Sequence, residues 1–195
     1  MRVKICGITD PQDAAMCEEA GANALGFVHF PGRRRSLPLD RISDICGTIG
    51  PLITTVLVSS PTSLEEAVHM VDESGVDVLQ TYSLEPGDIG ELRDRGIRTI
   101  RAVELDITQV RRFDGIADAL VFETGIPGTG TQYDYSQIPL ELSSRSIIAG
   151  GLNPENVENV RSLDPYGVDV SSGVERTPGR KDKGLVIEFI RRSVY

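Results

Sequence analysis

Residues 52–80 read LITTVLVSSPTSLEEAVHMVDESGVDVLQ, and this stretch decides the fold. The apolar run "LITTVLV" is too short for a helix and reads as a strand. In "TSLEEAVHMVDESG", which follows it, Leu64, Ala67, Val68 and Val71 recur at spacings of three and four, the mark of an amphipathic helix. Gly75 stands where a left-handed C-cap ends that helix, and "VDVLQ" starts the next strand-like run. Strand, helix and strand in succession call for a parallel sheet covered by helices.

The same alternation runs in both directions from this unit. Upstream, "VKIC" precedes helix-like "PQDAAMCEEAG", and "ALGFV" precedes "PLDRISDICGTIG". Downstream come "EPGDIGELRDRG", "IRTIRAV" with "DITQVRRFDG", "DALVF" with "DYSQIPLEL", "SIIAG" with "NPENVENVRSL", and "GVDVSS" with "KDKGLVIEFIRRS". Eight strand and helix pairs in 195 residues predict a single-domain α/β (β/α)8 barrel, a TIM barrel, over residues 1–195. An open doubly wound sheet with extra units is the alternative, but six or fewer strands are usual there. At this length the barrel falls a little short of the usual ~250 residues, so its helices and lower loops must be short. Gly21 and Gly96, like Gly75, follow helical segments and are expected as C-caps, while Asp10, Asp106 and Asp134 are expected as N-caps.

Composition narrows the function. A net charge of −9 disfavours nucleic acid and anionic membranes as partners, although a local basic patch can still hold a small anion. No apolar segment approaches the ~20 residues of a membrane span, and no signal peptide pattern opens the chain, which predicts a soluble cytoplasmic protein. The three cysteines, Cys6, Cys17 and Cys46, form no CxxC pair and suit a reducing compartment. With only His29 and His69 and no HExxH, there is little from which to build a metal site.

In this architecture active sites lie at the C-terminal ends of the strands. Cys6 ends the first strand and shares a face with Lys4, which predicts a thiol activated as a base or nucleophile by an ammonium one layer below. The competing reading is a small buried hydrophobe, the reading given to Cys17 and Cys46. Glu123 ends the sixth strand, where a partly desolvated carboxyl can stay protonated and donate. Gly150-Gly151 and Ser172-Gly173, after strands seven and eight, are placed where barrels cradle a phosphate. Pro127 to Gly130, "PGTG", is a candidate lid over it. Arg33, Arg34 and Arg35 in the strand-two loop are either a solvated charge run or a second anion site. His69 is expected at the surface and His29 as a candidate for lining the barrel mouth.

The segments "KICGIT", "GFVHFPGRRR", "GTGTQYDYS" and "IIAGGLNPENV…YGVDVSSGVE…GRKD" span the chain in the order found in the phosphoribosylanthranilate isomerases of tryptophan biosynthesis, and the chain resembles that family. The resemblance implies an aldose–ketose isomerase acting on a phosphorylated small molecule without metal or organic cofactor, as a monomer or homodimer. It implies Cys6 as general base, Glu123 as general acid, Arg35 on the anthranilate carboxylate, and Gly151, Ser172 and Gly173 around the phosphate. Two positions depart from the family pattern. The acid is a glutamate rather than an aspartate, and "LQTYS" keeps Gln80 but puts Thr81-Tyr82 where VQLHG is usual. Related phosphate-binding barrels would need catalytic lysines at strand ends or metal-binding histidines, and neither set is evident. A non-catalytic phosphoribosyl-ligand binder is the reading from another class.

Overall fold

In the computed structural model, which describes residues 1–123, 132–143 and 145–194, eight parallel strands close into a barrel. They are β1 (Arg2–Cys6), β2 (Ala24–Val28), β3 (Thr54–Ser59), β4 (Val78–Thr81), β5 (Arg98–Val103), β6 (Ala119–Phe122), β7 (Ser146–Ile148) and β8 (Gly167–Val170). Each pairs with its neighbours in chain order, and β8 returns to β1. The helices are α1 (Pro11–Glu19), α2 (Leu39–Cys46), α3 (Leu64–Ser74), α4 (Pro86–Asp94), α5 (Ile107–Phe113), α6 (Val157–Arg161) and α7 (Lys183–Val194). A small hairpin, β9 (Glu175–Thr177) and β10 (Arg180–Lys181), separates β8 from α7.

The caps follow the sequence. The Asp10 carboxylate accepts from the N–H groups of Gln12 and Asp13, and Asp106 accepts from Thr108. Gly75 closes α3 at φ 66°, a left-handed conformation that costs glycine little. The segment "DYSQIPLEL" departs from expectation. It forms two short 3-10 turns, Tyr135–Gln137 and Leu140–Leu142, in place of an α-helix. Pro139 supplies no N–H and biases Ile138 away from the helical region, and Ile138 is extended at ψ 124°. Asp134 caps the first of these turns.

Alternation along each strand divides the core into two layers. Val3, Ile5, Leu25, Phe27, Leu57 and Leu79 pack outward against the helices. Cys6, Val56, Val58, Ile100, Val121 and Ile147 fill the barrel interior. Two charges share that interior. Lys4 Nζ meets Asp169 Oδ2 at 2.8 Å with both side chains buried, and the two residues are direct register partners across the β1–β8 seam. Burial alone would push the Lys4 ammonium down, but the Asp169 carboxylate outweighs it and holds the group above the usual lysine range. Gly26 faces the same point. A Cβ there would come within 2.9 Å of Cys6 Sγ and 3.0 Å of Lys4 Cε.

Removing one partner of a buried pair leaves the other charge uncompensated. Lys4→Met is therefore expected to cost about 3–5 kcal/mol in urea unfolding, whereas Lys4→Met combined with Asp169→Leu recovers most of that loss. Equal destabilisation in both variants would show that the pair contributes only packing.

Candidate active site

The C-terminal ends of the strands open into a cavity of about 580 Å³. β1 delivers Cys6 to its wall, the loop after β2 delivers Arg35, the end of β4 delivers Gln80 and Tyr82, and β6 is followed by Glu123. Gly150, Gly151 and Ser172 complete the opposite rim. Gly173, by contrast, stands behind the wall. A Cβ on it would lie 1.9 Å from the Leu152 carbonyl oxygen, so glycine lets the loop after β8 rest directly on the loop after β7.

Cys6 sits at the barrel mouth as expected, but its protonation does not follow the sequence argument. Burial pushes the Cys6 thiol up, and the pull of Lys4 and Lys181 does not reverse it. Asp169, bound to Lys4, adds a negative charge that also raises the thiol. The Lys4 ammonium still pulls the thiol down, but burial outweighs that pull and Asp169 offsets part of it.

Of the three adjacent arginines, all line the cavity, and Arg35 is the one fixed in place. Its Nε and Nη2 donate to Glu175 Oε1 and Oε2 at 2.8 and 2.7 Å, a bidentate pair. Among the described residues Nη1 has no protein partner, which leaves one edge of the guanidinium for an incoming anion. Glu175 is shared with Lys181, whose fully buried Nζ also donates to the carbonyl oxygens of Cys6 and Ser171. Burial pushes the Glu175 carboxyl up, but Arg35 and Lys181 together hold it below the usual carboxylate range.

Glu123 receives a hydrogen bond from the Tyr82 hydroxyl at 3.0 Å on Oε2. The Tyr82 oxygen in turn accepts from Gln80 Nε2 at 3.5 Å, and its ring stands edge-on to Phe30. The phosphate-type loops have their carbonyls tied back. Tyr135 Oη donates to the Gly150 carbonyl at 2.6 Å and Asn156 Nδ2 to that of Gly151 at 2.9 Å. No acceptor among the described residues meets the N–H of either glycine. Gly150 and Gly151 hold φ values of 88° and 65°, and Gln132 occupies the place where a Gly151 Cβ would go.

His69 lies exposed on α3 beside Glu73, as expected. His29 does not line the cavity. Its Nδ1 is bound to the Leu37 carbonyl at 2.8 Å, which folds the strand-two loop back on itself. Arg33 and Arg34 remain solvated. The candidate lid, Pro127 to Gly130, lies outside the described residues. Sequence reasoning passed over Asp169, Glu175 and Lys181. Asp169 had a signal, since a charge between two valines in "GVDV" points the opposite way from its apolar neighbours. Glu175 and Lys181 lie in the quoted segments "VSSGVE" and "GRKD", but their partnership depends on a hairpin folding back over the barrel mouth. Among the described residues no three His, Cys, Asp or Glu side chains converge to hold a metal ion.

The family model for N-(5'-phosphoribosyl)anthranilate isomerase matches residues 3–192. The isomerase of Haloferax volcanii is 36% identical over 201 residues, covering 97% of this chain and 91% of that protein. The crystal structure of phosphoribosyl anthranilate isomerase from Thermus thermophilus superposes with a TM-score of 0.90 at 35% identity, covering 98% of each chain. A second solved isomerase, in complex with reduced 1-(o-carboxyphenylamino)-1-deoxyribulose 5-phosphate, superposes with a TM-score of 0.88 at 29% identity and covers 99% of this chain and 98% of that one. A closed barrel with a cysteine and a carboxylate in one cavity, beside an anchored arginine and two glycine-bearing loops, is thus matched along nearly its whole length, and the chain belongs to the phosphoribosylanthranilate isomerase family, the aldose–ketose isomerases of tryptophan biosynthesis.

Proposed function

We propose that this cavity converts phosphoribosylanthranilate to 1-(2-carboxyphenylamino)-1-deoxyribulose 5-phosphate with Glu123 as general acid and Cys6 as general base. The observation that carries the assignment is that the carboxyl group and the thiol, from β6 and β1, line one cavity. The neighbouring groups are anion binders at either side of it. The Gly150–Gly151 turn and Ser172 would take the phosphate through N–H and O–H donors. Arg35 would take the anthranilate carboxylate through its remaining edge, with Glu175 holding the plane of the guanidinium. Gly173 contributes by letting the two phosphate-side loops touch.

The acid gives its proton to the furanose ring oxygen. The bond from that oxygen to C1 breaks, and the nitrogen lone pair forms a C1=N iminium. Cys6, as thiolate, then removes the proton from C2. The C–H electrons become a C1=C2 double bond and the iminium π electrons return to nitrogen. The resulting enolamine loses its hydroxyl proton and gains one at C1, giving the aminoketone, so the reaction is a net isomerisation.

The elevated thiol fits this order of events. Buried and facing Asp169, Cys6 is mostly protonated in the free enzyme. Ring opening places a new cation beside it, and a nearby cation favours the thiolate. The thiol proton leaves to solvent as that cation forms, and the base is therefore generated in step with the donation by the acid. We further propose that the chain works as one barrel domain in the cytoplasm, as a monomer or homodimer.

Three outcomes check this reading. Cys6→Ala and Glu123→Gln are each expected to lower kcat by ~100- to 10,000-fold with a small change in KM, followed as loss of substrate fluorescence. Full activity in Glu123→Gln would assign the acid to another group. Alkylation of Cys6 in the free enzyme should rise with pH to a midpoint above roughly 8.5, the value of an unperturbed thiol, and a midpoint near neutrality would show that Lys4 and Lys181 prevail over burial.

A further inference from the structure

Gln80 and Tyr82 stand on the cavity wall without a part in the chemistry above, and both have unusual hydrogen bonding. Gln80 points into the barrel from β4, two residues from Val78 in the interior layer. Its Nε2 reaches the Tyr82 hydroxyl, whereas Oε1 is buried and has no hydrogen-bond partner among the described residues. A buried amide oxygen left without a donor costs stability, and in native proteins such an atom generally has a ligand or water to answer it. Tyr82 lies just past the end of β4, with its ring against Phe30 and its hydroxyl on Glu123 Oε2. Burial and the neighbouring Glu123 charge hold the phenol far above its usual range, so the hydroxyl keeps its proton and acts as a donor toward the carboxyl group.

We propose that Tyr82, oriented by Gln80, is a positioning residue that fixes the Glu123 carboxyl group, and that Gln80 Oε1 accepts a hydrogen bond from a hydroxyl or N–H of the bound substrate. The proposal rests on the reading of Glu123 as the acid. Because the amide N–H claims a lone pair of the phenol oxygen, the phenol proton is directed to Oε2. An acidic proton on the same carboxyl group is then confined to Oε1. A glutamate has three side-chain torsions, and a bond at its tip removes most of the freedom that this length brings. Misplacement of a reacting group by about an ångström can cost ~100-fold in rate, so holding the tip matters more for this acid than for a shorter one.

Tyr82→Phe keeps the ring on Phe30 and deletes only the donor. It is expected to lower kcat about tenfold or more while KM stays within about twofold. A hydrogen bond from a neutral donor is stronger to a carboxylate than to a carboxyl group, so its loss raises the pKa of the acid. The limb of the kcat profile set by Glu123, identified by its absence from the residual activity of Glu123→Gln, should move to higher pH by ~0.5–1 unit. In a Glu123→Gln background Tyr82→Phe should have no further effect. Gln80→Leu should raise KM by about fivefold or more and reproduce part of the limb shift. An unchanged kcat and an unmoved limb in Tyr82→Phe, with Glu123→Gln inactive, would overturn the positioning role and leave the acid in place. An unchanged KM in Gln80→Leu would remove the substrate contact. Full activity in Glu123→Gln would instead overturn the reading beneath both.

Discussion

The Lys4–Asp169 ion pair is the constraint around which this barrel is arranged. It lies at the seam where the last strand meets the first, between residues 165 positions apart in the chain. Two charges inside an apolar interior are tolerable only when each answers the other, so the pair specifies which residues of β1 and β8 stand opposite. A shift of either strand by one residue would turn its own charge toward the helices and leave the other unpaired in the interior. The pair also takes space. Gly26 on β2 has no room for a side chain because Lys4 and Cys6 fill the volume beside it. Cys6 is thus placed one layer above an ion pair and not above a free ammonium, so Asp169 offsets part of the Lys4 pull and burial holds the thiol above its usual range.

A second charged network does for the barrel mouth what the first does for its interior. Lys181 joins the carbonyl oxygens of Cys6 and Ser171 to the Glu175 carboxylate, and Glu175 in turn grips Arg35. The β9–β10 hairpin is itself anchored to the start of α1, where the Lys181 N–H donates to Asp13 and Thr9 donates to the Gly179 carbonyl. The arginine edge that faces the cavity is therefore held by a chain of contacts linking the first strand, the strand-two loop and the C-terminal hairpin. Its rigidity comes from Glu175 and Lys181, both almost fully buried at their side chains, and little from the loop that bears it.

Much of this was legible in the sequence because the signals are local. Eight short apolar runs and the helical spacing of Leu64, Ala67 and Val71 depend only on neighbours along the chain, as do the caps at Asp10 and Gly75. The position of Cys6, Arg35 and Glu123 followed from strand order, since every βα junction of a parallel barrel opens on one end. What failed to show was pairwise. The expected activation of Cys6 counted Lys4 without its partner from β8. The sixth helix was expected from the strand and helix alternation, and Pro139 breaks it into two turns. His29 was placed correctly at the end of β2, yet its side chain satisfies the backbone of its own loop.

The electrostatic layout also explains how an acidic protein accommodates a substrate with two anionic groups. The chain carries −9 overall, a field that opposes the approach of phosphate and carboxylate alike. At the cavity the balance reverses. Arg33, Arg34 and Arg35 line it, while the carboxylates nearby are largely accounted for, Asp169 by Lys4 and Glu175 by Arg35 and Lys181. A low-dielectric cleft focuses such local charge, so a small anion meets an attractive mouth within a repulsive surface. Extended polyanions cannot use that mouth without also facing the rest of the surface. A compact phosphorylated carboxylate can, and the same network that gives the mouth its sign keeps Glu175 from competing for the free edge of Arg35.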